Sequence, residues 1–442
     1  MLKTVSESLK AHWALWLLGA AIVIHLLMMA SLFWGYLNPF FSDSDSLPQG
    51  TDFFAIYEAG RSAAENRSLY SYDFFDTSVT PYHQPYRYIP FFAYAFAVPV
   101  NALPPWWAYW GWVTLYELLL VANAYATWRI AGRGRWALIG AGMWFVFTPF
   151  YLEQYMGQFS FLMATMLFWV GIGVVRGREA VAGLPWLVSL VTKSNSAVLA
   201  PLFLRLGWWR SLVGGALLLS LNVPYFIARP DDLELFYRAN FPGLLSGAEQ
   251  QFAAFQPGDL GAVAFIRNSL LTLEPASTGV PVALLLATGV VGCSLAATFL
   301  ARKFDALALF AIWISAFFLF YDDVWEHHYV MLLPVLVLLV AFRPSVRPWA
   351  LLVFVFVALP TPYLLLTQVW GTRLVPDPAF YTASQEAWPA WGVVLHHAAK
   401  PVPVFALWAY LTASQLREGL DLQWLSTLRD SLWRPAWLRS SR

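Results

Sequence analysis

The chain has 442 residues, of which 59% are hydrophobic and only 12% are charged. Soluble proteins carry about twice that share of charged residues, so the composition argues against a soluble domain and indicates a polytopic membrane protein. The net charge of +1 gives no sign of a nucleic-acid-binding surface, and the single cysteine, Cys293, excludes a disulfide within the chain and a cysteine-based metal site.

The N-terminal segment carries Lys3 and Lys10 and is followed by an apolar run over 13–34. This run is longer than the core of a signal peptide and has no small-residue cleavage site after it. We therefore expect an uncleaved first transmembrane helix with its N-terminus inside the cell.

Apolar runs recur along the chain, and a helix needs about 20 mostly apolar residues to span a membrane. We expect an all-α protein with about twelve transmembrane helices. The candidate runs are 13–34, 88–104, 106–128, 136–152, 159–175, 180–204, 208–228, 279–301, 305–321, 329–342, 348–366 and 400–415. They form a single domain over 1–415, followed by an amphipathic, arginine-containing cytoplasmic tail over 416–442.

Basic residues predict which loops lie inside. The inner loops are marked by Arg205 with Arg210, Arg302 with Lys303, and Arg343 with Arg347. The outer loops are then 35–87, 229–278, 322–328 and 367–399. The first of these has about 50 residues, far above the usual few, and its helical spacing of Phe53, Ile56 and Tyr57 predicts a surface helix.

The region 88–204 is ambiguous. Strict alternation of spans places Arg129, Arg133, Arg135, Arg176 and Arg178 outside. Placing them inside requires 88–104 and 180–204 to be re-entrant or interfacial. The second run contains two prolines and the polar stretch TKSNS, which is consistent with a broken helix.

Asp52 stands at the start of the first-loop helix. An aspartate here fits a helix N-cap, and it also fits a general base at the water–lipid boundary, where partial desolvation raises a carboxyl pKa. The two interpretations are compatible, since a cap also fixes the carboxylate in place.

Three cations are candidates for binding a lipid phosphate. Arg87 precedes an apolar run, where it either holds a phosphate or extends along the membrane interface. Lys193 lies within an apolar run, where a charge is costly and suggests function. Arg267, in the large outer loop, is a further candidate.

A short outer loop combines three acids with His327 and His328. Histidine titrates near neutrality and is suited to acid–base chemistry. The loop matches no established zinc pattern, and the D-x-D within 42–46 is a weak divalent-cation signal. We therefore expect no resident metal site, with a divalent cation possible and not favoured.

Six motifs follow one another in a fixed order: TDFFAIYEAG with SLY, YRYIPFFAYAFAVPVNALP, GQFSFL, TKSNSAVLAPL, RNSL and HHYVMLLP. This order resembles that of the polyprenyl-phosphate-dependent mannosyltransferases of glycosyltransferase family 87, which have the GT-C fold. The resemblance covers most of residues 45–335. The chain departs from the family pattern at Ile89, at Phe159–Ser160 and at Arg267–Asn268, which leaves the sugar open.

The resemblance implies that Asp52 is the base that activates the acceptor hydroxyl. It implies that His327 or His328 lies near the donor phosphate or the acceptor, and it favours twelve spans. The implied phosphate ligands are Arg87, Lys193 and Arg267, and the implied acceptor- or sugar-binding residues are Tyr57, Tyr88, Gln158, Asn268 and Glu326.

Together these features predict a membrane glycosyltransferase that moves a sugar, mannose by resemblance, from a polyprenyl-phosphate donor to a lipid or glycan acceptor. The reaction would invert the anomeric centre, at the extracytoplasmic face of a bacterial plasma membrane. No glycine-rich nucleotide loop is present in the sequence. The alternative is a transporter or flippase, which the broken segment around Lys193 fits, although no repeated half is visible.

Overall fold

The computed structural model describes the chain apart from its termini and several loops. The described residues are 2–41, 44, 47–71, 78–82, 85–240, 258–273, 279–321, 323–370, 374–376, 381–383 and 388–420. Asp322, both aspartates of the D-x-D at 42–46 and most of the predicted tail 416–442 therefore lie outside the described residues.

The described chain is predominantly α-helical. Its helices are α1 (Leu2–Trp34), α2 (Thr51–Ala64), α3 (Pro90–Val100, with a π-helical turn at Ala93–Ala97), α4 (Pro105–Ile130), α5 (Arg135–Phe145), α6 (Pro149–Met156), α7 (Ser160–Arg176), α8 (Glu179–Thr192), α9 (Ala200–Leu206), α10 (Trp209–Ser220), α11 (Val223–Ala228), α12 (Pro230–Asn240), α13 (Ala262–Leu273), α14 (Gly279–Phe299), α15 (Ala306–Phe320), α16 (Leu333–Phe342), α17 (Arg347–Ala358), α18 (Tyr363–Trp370), α19 (Ala390–Ala398) and α20 (Pro401–Leu416). Shorter 3-10 helices cover Asn38–Phe40, Ser194–Leu199 and Glu326–Leu332.

A small β-hairpin interrupts the helical pattern and leaves the predicted all-α class unchanged. Strands β1 (Leu374–Pro376) and β2 (Tyr381–Ala383) pair antiparallel, with Val375 opposite Thr382. They lie in the predicted outer loop 367–399.

Some helices are long and apolar enough to cross a membrane. By length and composition, the described residues contain three, Trp13–Trp34, Trp209–Ala228 and Val282–Phe299. Arg347–Ala358 and Tyr363–Trp370, which are bent by 41° relative to each other, form a fourth if they act as one span. Large apolar side chains on these helices remain exposed, as expected for surfaces that face lipid. An all-α membrane protein fits these features, but twelve spans are not confirmed.

The core is formed by helices that are apolar on every side. Nearly all residues of α15 and α16 are buried, and such helices belong in the interior of a bundle. The large aromatic side chains of Tyr109, Tyr116 and Trp144 are also fully buried. Buried tyrosines need partners for their hydroxyl groups, and these partners hold the loops at one end of the bundle.

The run 180–204 is a hairpin. Helix α8 ends at Thr192, Lys193 has an extended backbone, and the chain returns through the 3-10 helix Ser194–Leu199 and α9. The two legs pack together, because Ser189 Oγ donates to Ser196 Oγ at 2.6 Å and the rings of Trp186 and Phe203 lie 4.6 Å apart. Lys193 therefore lies at the tip of this hairpin.

The run 88–104 also fails to form one spanning helix. Its helix α3 covers only 11 residues by its bounds and packs against the first-loop helix α2. Asn101 Nδ2 donates to Tyr57 O at 2.9 Å, and Tyr57 Oη donates to Leu103 O at 2.8 Å. A Cβ on Gly60 would lie 2.4 Å from the Ala97 carbonyl oxygen, so glycine permits this close approach.

Contacts between basic loops place them on one side of the molecule, here called the basic side. The guanidinium of Arg347 stacks 4.0 Å from the ring centroid of Trp136, next to Arg135. Arg343 forms an ion pair with Asp305 at 2.5 Å.

The same side includes both ends of the hairpin. Arg205 lies 5.5 Å from the ring centroid of Phe304, and Glu179 Oε1 accepts hydrogen bonds from the backbone and side chain of Ser211. This arrangement favours the re-entrant interpretation of 88–204 over strict alternation, and it removes the conflict with the arginine distribution.

The re-entrant path of the chain predicts which positions a reagent outside the cell can reach. Each position is tested as a single cysteine in a Cys293→Ser background. In intact cells, a membrane-impermeant maleimide should react with a cysteine at Glu65. Cysteines replacing Arg129, Arg178 and Arg302 should react only after permeabilisation, because all three lie on the basic side and basic loops remain inside. Mass spectrometry of the labelled protein measures this.

Strict alternation gives a different result. It places Arg129 and Arg178 outside, on the same side as Glu65. Arg302 is inside in both arrangements and serves as the control. Labelling of Arg129→Cys or Arg178→Cys in intact cells would contradict the re-entrant hairpin.

Candidate functional site

Asp52 lies in the first turn of α2, and it is not the N-cap that one interpretation of the sequence expected. The N-cap is Gly50, which has φ +81°, a conformation that favours glycine. Its N–H donates to the Tyr155 carbonyl at 2.7 Å. The half-buried Asp52 side chain is consequently free of a capping role and accepts a hydrogen bond from the Gln158 side chain.

Gln158 is the centre of the site. Its Oε1 accepts from Tyr88 Oη at 3.1 Å and from Lys193 Nζ at 3.3 Å, while its amide nitrogen donates to Asp52. One amide therefore joins the first outer loop, α3 and the tip of the hairpin.

The backbone around Gln158 is fixed by its neighbours. Gly157 has φ +68°, and a Cβ there would lie 2.4 Å from the Cβ of Phe53, so only glycine fits. The carbonyl of Gln158 accepts from Tyr116 Oη at 2.7 Å and from Trp112 Nε1 at 3.2 Å. These contacts set the position of the amide before any ligand binds.

Lys193 reaches this amide from the hairpin tip. In addition to its bond to Gln158, its ammonium donates to Ser160 Oγ at 2.7 Å. The extended backbone at Lys193 separates two helical legs, and its side chain points into the cluster.

Glu153 lies beside this pair and was not among the predicted site residues. It is fully buried in α6, and its Oε2 accepts the N–H of Phe161, in the first turn of α7, at 2.8 Å. Burial raises its pKa above the usual value, while the Lys193 ammonium acts in the opposite direction. The only sequence signal was an acid between two apolar runs, which an ordinary helix connection also produces.

Arg87 and Asp323 form the more exposed part of the cluster. Arg87 Nη1 lies 3.4 Å from Asp323 Oδ2, with side-chain exposures of 31% and 30%. Trp325 Nε1 donates to the other carboxylate oxygen of Asp323 at 2.6 Å. The Arg87 side chain is thus held by one carboxylate while about a third of its surface remains open to solvent.

His327 and His328 lie in the first turn of the 3-10 helix Glu326–Leu332, with ring centroids 4.3 Å apart. His328 Nδ1 accepts the N–H of Trp325 at 3.1 Å, so this nitrogen carries no proton. His327 lies close enough to Asp52 to lower the pKa of the carboxyl.

The electrostatic balance at Asp52 follows from this arrangement. Burial is the largest effect and raises the pKa of the carboxyl above its usual value of 3.8. His327, Arg87, Lys193 and the hydrogen bond from Gln158 act in the opposite direction, in that order. Within the described chain, the Oδ2 atom of Asp52 has no hydrogen-bond partner, although this oxygen atom is buried.

Seven sequence-predicted residues therefore come together at one end of the bundle. They are Asp52, Arg87, Tyr88, Gln158, Lys193, His327 and His328. Tyr57, by contrast, donates its hydroxyl proton to the backbone carbonyl of Leu103. This hydrogen bond links α2 to the segment after α3.

Arg267 and Asn268 belong to a second buried cluster. Arg267 Nη2 lies 3.5 Å from Asp259 Oδ2, and Asn268 Nδ2 donates to His397 Nε2 at 3.1 Å. Asp259 Oδ1 also accepts the backbone N–H of Val324 at 3.3 Å. These contacts tie α13 and α19 to the histidine-containing loop, which is a structural connection to the site.

Glu326 is engaged elsewhere as well. Its carboxylate lies 2.9 Å from the ammonium of Lys400, and both side chains are fully buried. Thr361 donates to Glu326 through its backbone N–H at 3.2 Å and through its hydroxyl at 3.3 Å. A carboxylate occupied in this way joins three segments and is poorly placed to contact a sugar.

Within the described residues, no group of three histidine, cysteine, aspartate or glutamate side chains could hold a metal ion. The aspartates of the D-x-D and Asp322 lie outside this part of the chain.

A family model described as glycosyltransferase family 87 matches residues 86–321, slightly more than half of the chain. The chain belongs to glycosyltransferase family 87. The matched segment includes Arg87, Tyr88, Glu153, Gln158 and Lys193. Among curated proteins, no sequence matches the chain. Membership of the family makes the protein a membrane glycosyltransferase that uses a sugar donor and an acceptor.

The buried Glu326–Lys400 pair generates a stability prediction. Lys400→Met leaves a buried carboxylate without its counter-charge, and we expect the free energy of unfolding to fall by about 3–5 kcal/mol. The double variant Glu326→Gln with Lys400→Met should recover most of this loss, because no unpaired charge remains. Thermal unfolding in detergent measures both, and a Lys400→Met protein as stable as wild type would contradict the pairing.

Proposed function

We propose that this glycosyltransferase moves a sugar, mannose by the family resemblance, from a polyprenyl-phosphate donor to a lipid or glycan acceptor, with inversion at the anomeric carbon. The observation that carries the proposal is the single amide of Gln158, which contacts both Asp52 and Lys193. A base and a cation held this close match the two requirements of the transfer, which are to deprotonate the acceptor and to stabilise the departing phosphate.

Asp52 is the proposed general base. Its Oδ2 has no hydrogen-bond partner in the described chain and is therefore available to a hydroxyl group. The acceptor O–H transfers its proton to this carboxylate as the oxygen forms a bond to the anomeric carbon. A carboxyl pKa raised by burial makes Asp52 a stronger base than an exposed aspartate.

The phosphate is the leaving group. As the bond from the anomeric carbon to the phosphate oxygen breaks, the electron pair leaves with the oxygen, and the product is a polyprenyl phosphate monoester. Its growing negative charge needs cations more than it needs an acid. Lys193 and Arg87 supply them, whereas the contact of Arg267 with Asp259 makes that residue a weaker candidate.

Both histidines neighbour these groups. The proximity of His327 to Asp52 supports a contact with the acceptor or with the phosphate. His328 accepts a backbone N–H at Nδ1, and this bond supports a role in fixing the loop next to His327.

The proposed orientation places the site on the extracytoplasmic face of a bacterial plasma membrane. The basic loops lie at the opposite end of the bundle from Asp52, and basic loops remain in the cytoplasm. A polyprenyl donor keeps its tail in the bilayer and its phosphate near the interface. This chemistry needs no nucleotide, and a divalent cation remains possible and not favoured.

Family membership favours transfer over transport as the function of this polar cluster. The broken helix at Lys193 was the feature that fitted a transporter. It is the tip of a hairpin, and the Lys193 side chain lies beside the Gln158 amide and the Asp52 carboxylate. Such a cluster suits group transfer, and the first experiment below also tests the transporter alternative.

Purified protein incubated with polyprenyl-phosphate mannose and candidate acceptors should form a glycosylated product. Asp52→Asn should lower kcat by about 10²–10⁴-fold, because a neutral amide cannot take the proton. The matched control is Asp231→Asn, which changes an exposed aspartate in the first turn of α12. Product formation measured by mass spectrometry decides the outcome.

Two results would contradict the proposal. Full activity in Asp52→Asn would show that another group is the base. No consumption of any lipid-phosphate sugar, together with movement of a solute across vesicles, would favour the transporter.

The pH dependence follows from the raised pKa of Asp52. The base acts only when deprotonated, so kcat/KM should fall as the pH drops through this pKa, at a pH above 3.8. Arg87 lowers the pKa of Asp52, and Arg87→Gln should therefore move the acid limb to higher pH. The pH profiles of both proteins measure this, and an acid limb that moves to lower pH in Arg87→Gln would contradict the assignment.

A further inference from the structure

A second carboxylate lies next to the proposed catalytic groups. Glu153 has no exposed surface, and it faces Lys193 and Ser160 from α6. The chemistry above does not use it. A buried carboxylate is costly unless it is paired or hydrogen-bonded, so its presence at this position calls for a role.

Ser160 connects the carboxylate with the ammonium. Lys193 Nζ lies 2.7 Å from Ser160 Oγ, and an ammonium can only donate. The hydroxyl therefore accepts from Lys193, and its own proton is donated to Glu153, which accepts a side-chain hydrogen bond from Ser160. The result is a directed chain from ammonium to hydroxyl to carboxylate.

The charges around Lys193 come from several elements. Glu153 on α6, Asp52 on α2 and Asp323 in the histidine-containing loop favour the charged ammonium, and Glu153 has the largest effect of the three. Arg87 opposes it. His327 and His328 also face this group.

We infer that Glu153 is a positioning residue, the counter-charge that keeps Lys193 an ammonium and, through Ser160, holds it toward the substrate phosphate. The inference rests on the proposed function, since it assumes that Lys193 binds the donor phosphate. Glu153 does not touch the reacting atoms, and it acts through Lys193.

A purely structural role is the competing explanation, because Glu153 also accepts the N–H of Phe161 in the first turn of α7. Glu153→Gln separates the two roles. Glutamine keeps an oxygen for the Phe161 N–H and removes only the negative charge. A structural role predicts a change in stability alone, whereas the counter-charge role predicts a change in the titration of Lys193.

The decisive measurement is the pH profile of kcat/KM for the polyprenyl-phosphate donor. Without the counter-charge, Lys193 deprotonates more readily, and the alkaline limb of Glu153→Gln should move to lower pH by about 1 unit or more. At neutral pH the KM for the donor should rise about tenfold, with a smaller change in kcat. A profile that superimposes on that of wild type would overturn the inference.

Two further variants sharpen the test. Glu179→Gln is the matched control, because it removes a carboxylate from the opposite end of the same hairpin, where it accepts from Ser211. Its profile should equal that of wild type. Lys193→Arg in the Glu153→Gln background should abolish the alkaline shift, because arginine stays charged, and a shift that persists would overturn the inference.

Chemical labelling gives a readout that does not depend on turnover. An amine-reactive reagent modifies only deprotonated lysine, so Lys193 should be modified faster in Glu153→Gln than in wild type at the same pH. Lys303, whose side chain is 40% exposed, serves as the reference in the same sample. Peptide mass spectrometry measures both rates.

The outcomes remain separable from those of the proposed function. Wild-type protein that consumes no lipid-phosphate sugar contradicts the function, whereas equal labelling of Lys193 in both proteins contradicts the counter-charge. If Glu153→Gln fails to fold, Ser160→Ala breaks the same chain of hydrogen bonds and leaves both charges. Because the counter-charge remains, the labelling rate of Lys193 should change little in Ser160→Ala while the KM for the donor rises, and an unchanged KM overturns the inference.

Discussion

The site depends on keeping charges of both signs together where water is scarce. An ammonium or a carboxylate is costly to bury alone, and it becomes tolerable when hydrogen bonds and opposite charges surround it. The amide of Gln158 meets this requirement for two groups at once, since it donates to Asp52 and accepts from Lys193. Loss of this bridge would leave a carboxylate and an ammonium without a fixed geometry.

The rest of the fold serves to hold this amide and its partners in place. Gly157 allows the turn to lie against Phe53, and buried aromatic donors fix the carbonyl of Gln158. Gly50 begins the helix of Asp52 without using the carboxylate as a cap. Each local feature leaves a polar group free for a ligand by satisfying the backbone in another way.

Composition and the order of motifs were enough to predict the family and most of the residues that cluster. The sequence could not reveal which polar groups satisfy one another, since partners such as Asn268 and His397 lie 129 residues apart. Arg267 and Glu326 looked available for this reason, and Glu153 looked like part of an ordinary connection. Helix counting could not decide the path of 180–204, because hydropathy does not distinguish one crossing from two short legs that turn back.

The length of the hairpin sets how deep its tip lies. Helix α8 has 14 residues, or about 21 Å, whereas the hydrocarbon layer is about 30 Å thick. In the orientation proposed above, α8 begins at the cytoplasmic boundary, and the amine of Lys193 stops short of the opposite headgroups. The proposed lipid-linked donor must then sink below its neighbours in the leaflet, or the bilayer must thin around the enzyme, so that lipid thickness becomes a determinant of substrate capture.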